Sequence, residues 1–217
     1  MIEITVRDGI GARVTTLANA LSSGEEVAFG WDANEHLPLA HEVVFPRGIA
    51  GVQFVPAAGD GCFTDWNAQP FFSWAGADDR ALANAAYGVI IGAMAGAPVP
   101  GMTMAVLARF WRNPHASWET LADKAIATAR EAGADTVFLL SDRYRWELRC
   151  KLIDAGIQVS LAGAAPLSAD LDRTAEEMAA FLTDWKTVVA CPLIVAIDGP
   201  TCLLNPARAA GRTIVYA

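Results

Sequence analysis

From Thr103 to the C-terminus the chain switches repeatedly between two hydrophobic periods, a pattern that few folds accommodate. Short aliphatic runs (Thr103–Phe110, Thr136–Leu140, Ile157–Leu161, Leu193–Ile197, Thr213–Tyr216) alternate with stretches of helical length (Ser117–Ala132, Tyr144–Ala155, Arg173–Val188, Cys202–Ala210). Near-continuous apolar strands, each followed by a helix, belong to a parallel sheet covered on both faces. Gly133 and Gly156 fall where C-terminal helix caps belong. The second half therefore reads as a doubly wound α/β sheet, in which ligands lie beyond the carboxyl ends of the strands.

The beginning of the chain shows the same alternation. A strand at Ile2–Arg7 runs into the loop Asp8-Gly9-Ile10-Gly11, then a helix at Ala12–Leu21 and a strand at Glu26–Trp31. Between Val43 and Gly76 the apolar runs are broken by Pro, Gly and Asp, which predicts loops and short strands. The aromatic-dense segment Cys62–Trp74 could stack on a sugar or base, or seal a core. A helix follows at Asp78–Met94, and the Pro- and Gly-rich run Ala95–Gly101 interrupts any helix or central strand. The expected division is an N-terminal α/β domain at residues 1–97 and a second α/β domain at residues 101–217.

Composition narrows the possible partners. Hydrophobic residues make up 53% of the 217 residues, yet no window holds the run of roughly 20 apolar residues that crosses a bilayer. The start of the chain lacks a basic segment followed by an apolar block, so the expected location is the cytoplasm. A net charge of −8 repels polyanions and argues against nucleic acid. A small phosphorylated ligand is still compatible, because one helix N-terminus and one arginine act locally. Cys62, Cys150, Cys191 and Cys202 show no C-x-x-C spacing and read as buried thiols.

The first loop holds Gly9, Gly11 and Arg13 between a strand and a helix. Glycines there allow a tight turn or close approach of a ligand, and exposed amides favour an anion; a purely structural turn has the same composition. It is not a dinucleotide fingerprint, because Val14 stands where the third glycine of G-x-G-x-x-G belongs. H-E-x-x-H, G-x-S-x-G and P-loop lysine motifs are absent, and His36, His41 and His115 are too scattered in sequence for a metal site.

Four segments, in order, resemble the fucosyltransferase-like glycosyltransferases, whose bacterial branch includes nodulation fucosyltransferases. Asp8-Gly9-Ile10-Gly11-Ala12-Arg13, with Val27–Trp31 and Asn34-Glu35-His36 beyond, is similar to the family's G-G-L-G-N-R opening, with Asp8 and Ala12 as departures. Leu107-Ala108-Arg109 matches the H-x-R strand end whose arginine binds the donor diphosphate, with Leu107 in place of the histidine. Ser141-Asp142 matches a Ser-Asp strand end, where the pair can bind ribose or base or cap the next helix. Asp198-Gly199-Pro200-Thr201-Cys202 matches the terminal phosphate-binding turn, with Asp198, Pro200 and Cys202 replacing small hydroxyl residues.

The resemblance implies a shortened, diverged GT-B-like protein with two Rossmann-like halves, the C-terminal one binding a nucleotide sugar such as GDP-fucose. Arg109 would hold the phosphates, and Gly9, Gly11, Arg13, Ser141, Asp142, Asp198, Gly199 and Thr201 would complete the donor site. His115 or Glu119 would act as base towards a glycan or other hydroxyl acceptor. Neither a cofactor nor a metal is expected, since an arginine and a helix end can neutralise the diphosphate. Two other readings stay open: a non-catalytic nucleotide- or glycan-binding module, and another Rossmann-like transferase.

Overall fold

The computed structural model describes residues 1–6, 9–33, 39–57, 77–110, 113–161, 174–197 and 202–217. The chain divides into two units. The first takes Met1–Ala95, Leu171–Ala179 and Thr201–Ala210; the second takes Gly96–Asp170, Ala180–Pro200 and Gly211–Ala217.

In the first unit β1 (Ile2–Thr5), β2 (Val27–Trp31) and β3 (Val52–Pro56) form a parallel sheet in the order β1-β2-β3. All five residues of the central β2 are buried, as expected for a strand covered on both faces. Pro56 closes β3 at the sheet edge, where a missing amide costs no ladder bond. Gly30 is required by crowding: a Cβ there would lie 2.3 Å from the Thr5 hydroxyl oxygen and 3.2 Å from Ala57 Cα.

Helix α1 (Ile10–Leu21) is buried from Ile10 to Ala20 and so presents no solvent face, Arg13, Thr15, Thr16 and Asn19 being buried with its apolar residues. A short helix α2 (His41–Val44) and β3 account for the described part of the region expected to hold loops and short strands. His41 stacks on Phe54 with ring centroids 4.2 Å apart, beside Trp31 and Phe45, which makes it a packing residue. Helix α3 (Ala77–Ala93) packs against α1 and buries Ala83, Tyr87 and Ile90.

The second unit contains β4 (Met104–Ala108), α4 (Trp118–Ala132), β5 (Thr136–Ser141), α5 (Arg145–Asp154), β6 (Gln158–Leu161), β7 (Leu193–Ala196) and β8 (Thr213–Tyr216). Its five parallel strands run β6-β5-β4-β7-β8, with β4 in the centre. The even-numbered residues Met104, Val106, Ala108 and Phe110 pack into a core with Leu121, Ala122, Ala125, Ala129, Leu148 and Leu152 of α4 and α5. Each fully buried Leu or Val contributes about 1.5–3 kcal/mol.

The helix ends follow local chemistry. Ser117 caps α4 by accepting the Thr120 amide at 3.2 Å, and Gly133 ends it at φ 64°. Gly156, at φ 84°, follows α5. Helix α6 (Ala175–Ala190) starts at a reciprocal capping box: the Thr174 amide donates to Glu177 and the Glu177 amide donates to the Thr174 hydroxyl. The continuous helix expected over Cys202–Ala210 is instead a 3-10 turn at Cys202–Leu204 followed by α7 (Asn205–Ala209). Pro206 lacks an amide hydrogen and is accommodated only in the first turn of a helix, so α7 restarts there.

Candidate nucleotide-sugar site

Parallel pairing aligns the carboxyl ends of three strands in the second unit. Ala108 of β4 stands opposite Ser141 of β5, and Leu107 stands opposite Ala196 of β7. The strand order reverses direction between β4 and β7, and in open α/β sheets the ligand crevice lies at such a switch point. Arg109, half-buried, is the first residue past β4. Leu107, 1% exposed, supplies core volume at the position where a histidine is expected from the resemblance.

Ser141 and Asp142 act on the backbone around them. The Ser141 hydroxyl donates to the Arg143 carbonyl oxygen. Asp142 accepts the Phe110 amide on Oδ1 at 2.9 Å and gives its own amide to the Ala108 carbonyl at 3.1 Å. The carboxylate thus clamps the end of β4 rather than capping α5, whose N-cap Tyr144 has no side-chain cap bond.

His115 is exposed on the turn between β4 and α4. Glu119 lies in the first turn of α4, where it accepts the Ser117 hydroxyl at 2.7 Å. That hydrogen bond, with the Glu119 backbone amide second, holds its carboxyl below the ordinary value. A carboxylate stabilised in this way is a weaker proton acceptor than the unperturbed group. Asp198, Gly199 and Thr201 lie outside the described residues, as do His36, Cys62 and the aromatic segment Cys62–Trp74.

In the first unit Gly9 precedes α1 at φ −62°, and its carbonyl accepts the Ala12 and Arg13 amides. A Cβ at Gly9 would meet open space, whereas one at Gly11 would lie 2.5 Å from Cys202 Sγ and 3.3 Å from a Leu203 methyl. Gly11 therefore makes room for the Cys202–Leu204 turn. Arg13 is 1% exposed; its guanidinium sits 4.5 Å from the centre of the Trp31 ring and donates to the Asp32 carbonyl at 2.9 Å. It ties α1 to the end of β2. Cys191 is buried, while Cys150 and Cys202 are half-buried rather than fully enclosed.

Sequence reasoning missed an aromatic group beside this strand edge. The Tyr144 ring meets Phe110 edge-on at 4.9 Å and lies over Trp118 at 6.5 Å, 27° from parallel. The usable signal was an aromatic residue two positions after the Ser141-Asp142 strand end.

The two parallel sheets, with helices between their strands, define a GT-B-like α/β protein with two Rossmann-like halves, the second doubly wound. The fold is similar to a solved structure of NodZ alpha-1,6-fucosyltransferase co-crystallized with GDP, at TM-score 0.58 and 14% identity, covering 99% of this chain and 93% of that one. A second NodZ alpha-1,6-fucosyltransferase structure, soaked with GDP-fucose, matches at TM-score 0.55 and 14% identity over 99% of this chain and 94% of that one. At this identity the likeness establishes the fold. No protein-family model matches the sequence, and no curated protein does. Among the described residues no helix is long and apolar enough to cross a membrane.

Proposed function

We propose that this protein is a metal-independent glycosyltransferase that moves a sugar, with fucose as the candidate, from a nucleoside-diphosphate donor such as GDP-fucose to a glycan or other hydroxyl acceptor. The observation that carries the reading is the position of Arg109. It stands at the carboxyl end of the central strand, beside the switch point, in a fold shared with a fucosyltransferase solved with GDP and with GDP-fucose. A guanidinium at that place can fork onto two phosphate oxygens and stabilise the charge that grows on the departing diphosphate. Asp142 holds the end of β4 and so sets where Arg109 starts. Ser141 shapes the turn at the neighbouring strand end, and Asp198, Gly199 and Thr201 are further donor-site candidates by sequence.

A second reading has its own support. Leu107 stands where the resembling family has histidine, and the Glu119 carboxylate is stabilised by Ser117, which weakens it as a base. Both suit a nucleotide- or glycan-binding module without turnover. Titration of wild type and Arg109→Ala with GDP, by calorimetry, tests the shared part of the two readings. Loss of the arginine should weaken binding by about 1.5–3 kcal/mol, the range for hydrogen bonds to charged groups. Equal affinities would remove Arg109 from the site. Assay of GDP release from GDP-fucose with candidate acceptors then separates a transferase from a binding module.

A further inference from the structure

The turn after β5 fixes one aromatic ring beside the end of β4. Three hydrogen bonds hold the turn: Ser141 to the Arg143 carbonyl, the Phe110 amide to Asp142, and the Asp142 amide to the Ala108 carbonyl. Tyr144 then takes the left-handed conformation at φ 52°, and among the described residues no other non-glycine has positive φ. In that conformation the Cβ crowds the following carbonyl oxygen, a cost that glycine avoids and asparagine bears more easily. A bulky residue held there points to a use for its ring.

Packing uses only part of that ring. Its aromatic neighbours are Phe110, edge-on at 4.9 Å, and Trp118 at 6.5 Å, yet Tyr144 stays 43% exposed. Phe110 directly follows Arg109, and its amide is held by Asp142. The ring of Tyr144 therefore stands one side-chain contact from the residue next to the proposed phosphate anchor. In doubly wound sheets the pyrophosphate lies at the switch point and an acidic residue further along the chain meets the ribose, so the nucleoside extends away from that point. The strand beside β4 on the side away from β7 is β5; it ends at Ser141, with Asp142 next and Tyr144 two positions later.

We infer that Tyr144 is the stacking platform for the base of a nucleotide whose phosphates are held by Arg109. The inference rests on the role proposed for Arg109 and adds the residue that orients the nucleoside. Every base has a flat π-face, so an aromatic side chain binds it without a hydrogen-bond code. Tyr144 then supplies affinity and orientation, not the choice between guanine and another base. A tyrosine has two side-chain torsions, and one already supported by Phe110 and Trp118 loses little further freedom when a ligand arrives. The strained backbone and the Asp142 clamp fix the root of that ring.

The test titrates the full chain by calorimetry with GDP and with inorganic pyrophosphate, which carries the phosphates but no base. Tyr144→Gly removes the ring and takes the left-handed backbone without strain. It should weaken GDP binding about tenfold, within the range for one stacked base, and leave pyrophosphate binding unchanged. Tyr144→Phe keeps the ring and should keep the GDP affinity, whereas Arg109→Ala should weaken both ligands. Magnetisation transfer from the aromatic protons of the protein to the guanine C8 proton gives a second readout, and it decides where pyrophosphate binds too weakly to titrate. It should be strong in wild type and fall in Tyr144→Gly at equal GDP occupancy. Unchanged GDP affinity in Tyr144→Gly, or an equal loss of GDP and pyrophosphate, would overturn the inference and leave Arg109 in its role. So would a Tyr144→Phe protein as weak as the glycine variant. Wild type that binds no GDP would overturn this inference together with the nucleotide-sugar reading, so the two failures are told apart. If Tyr144→Gly does not fold, Tyr144→Asn decides, since asparagine tolerates the same backbone and caps a helix well.

Discussion

Asp142 is the residue through which β5 positions the end of β4, and its removal has a calculable cost. In Asp142→Ala the amide of Phe110, a residue only 1% exposed, loses an acceptor at 2.9 Å. A hydrogen bond to a charged acceptor contributes about 1.5–3 kcal/mol, and the half-buried carboxylate places this one near the lower end, at about 2 kcal/mol. In a protein of this size that corresponds to a fall in Tm of roughly 4–8 °C. Asp142→Asn keeps a side-chain oxygen but not its charge and should lose about 1 kcal/mol. Urea denaturation gives the two stabilities, and calorimetry gives the two GDP affinities. If Asp142 works as a clamp, stability and GDP affinity should fall together in the alanine variant and recover together in asparagine. An Asp142→Ala protein within about 0.5 kcal/mol of wild type would refute the clamp. An asparagine variant that is stable but has lost GDP binding would assign the carboxylate directly to the ligand.

Two further outcomes follow from packing and burial in the first and second units. Gly11→Ala brings a methyl to 2.5 Å from Cys202 Sγ; overpacking costs about 1–3 kcal/mol against roughly 1 kcal/mol gained in helix propensity. The net loss, up to about 2 kcal/mol in thermal unfolding, should largely disappear in Gly11→Ala/Cys202→Ala, and a stabilising Gly11→Ala would contradict the close approach. Burial pushes the Tyr87 phenol from 10.0 up to about 12. The folded state then keeps a proton that the unfolded chain loses, so stability is intact below pH 10 and declines through about pH 12, by an amount on the order of 2–3 kcal/mol. Cys191, raised by burial to about 11, adds a loss of the same sign at lower pH. Tyr87→Phe should therefore flatten only the upper part of the alkaline decline, and urea midpoints measured at about pH 9 and about pH 11.5 read the difference.

The order of elements was legible in the sequence because it depends on signals within a few residues. Apolar β4, the largely apolar β5 and the glycine at position 133 are local features, and each appears where periodicity or cap chemistry places it. The parallel pairing that aligns the strand ends also followed, because strands joined by helices have few arrangements. Pro206 could have warned that the last helix would break.

What the sequence could not supply were the partners of particular side chains. A glycine at position 11 reads the same whether it admits a phosphate or the sulfur of Cys202, a residue far along the chain that packing brings against α1. An arginine at position 13 suits an anion site by its chemistry, yet the fold places its guanidinium on Trp31. Asp142 carries the composition of a helix cap but turns to a backbone amide of the neighbouring strand, and Tyr144 gains its left-handed backbone only between that clamp and the Phe110 and Trp118 rings. The sequence by itself determined the α/β alternation, the strand ends and the residues available there, since these rest on local periodicity and capping. Only the tertiary structure decided which of those residues face inward to hold the backbone and which stay exposed, because that choice depends on contacts between elements distant in the chain.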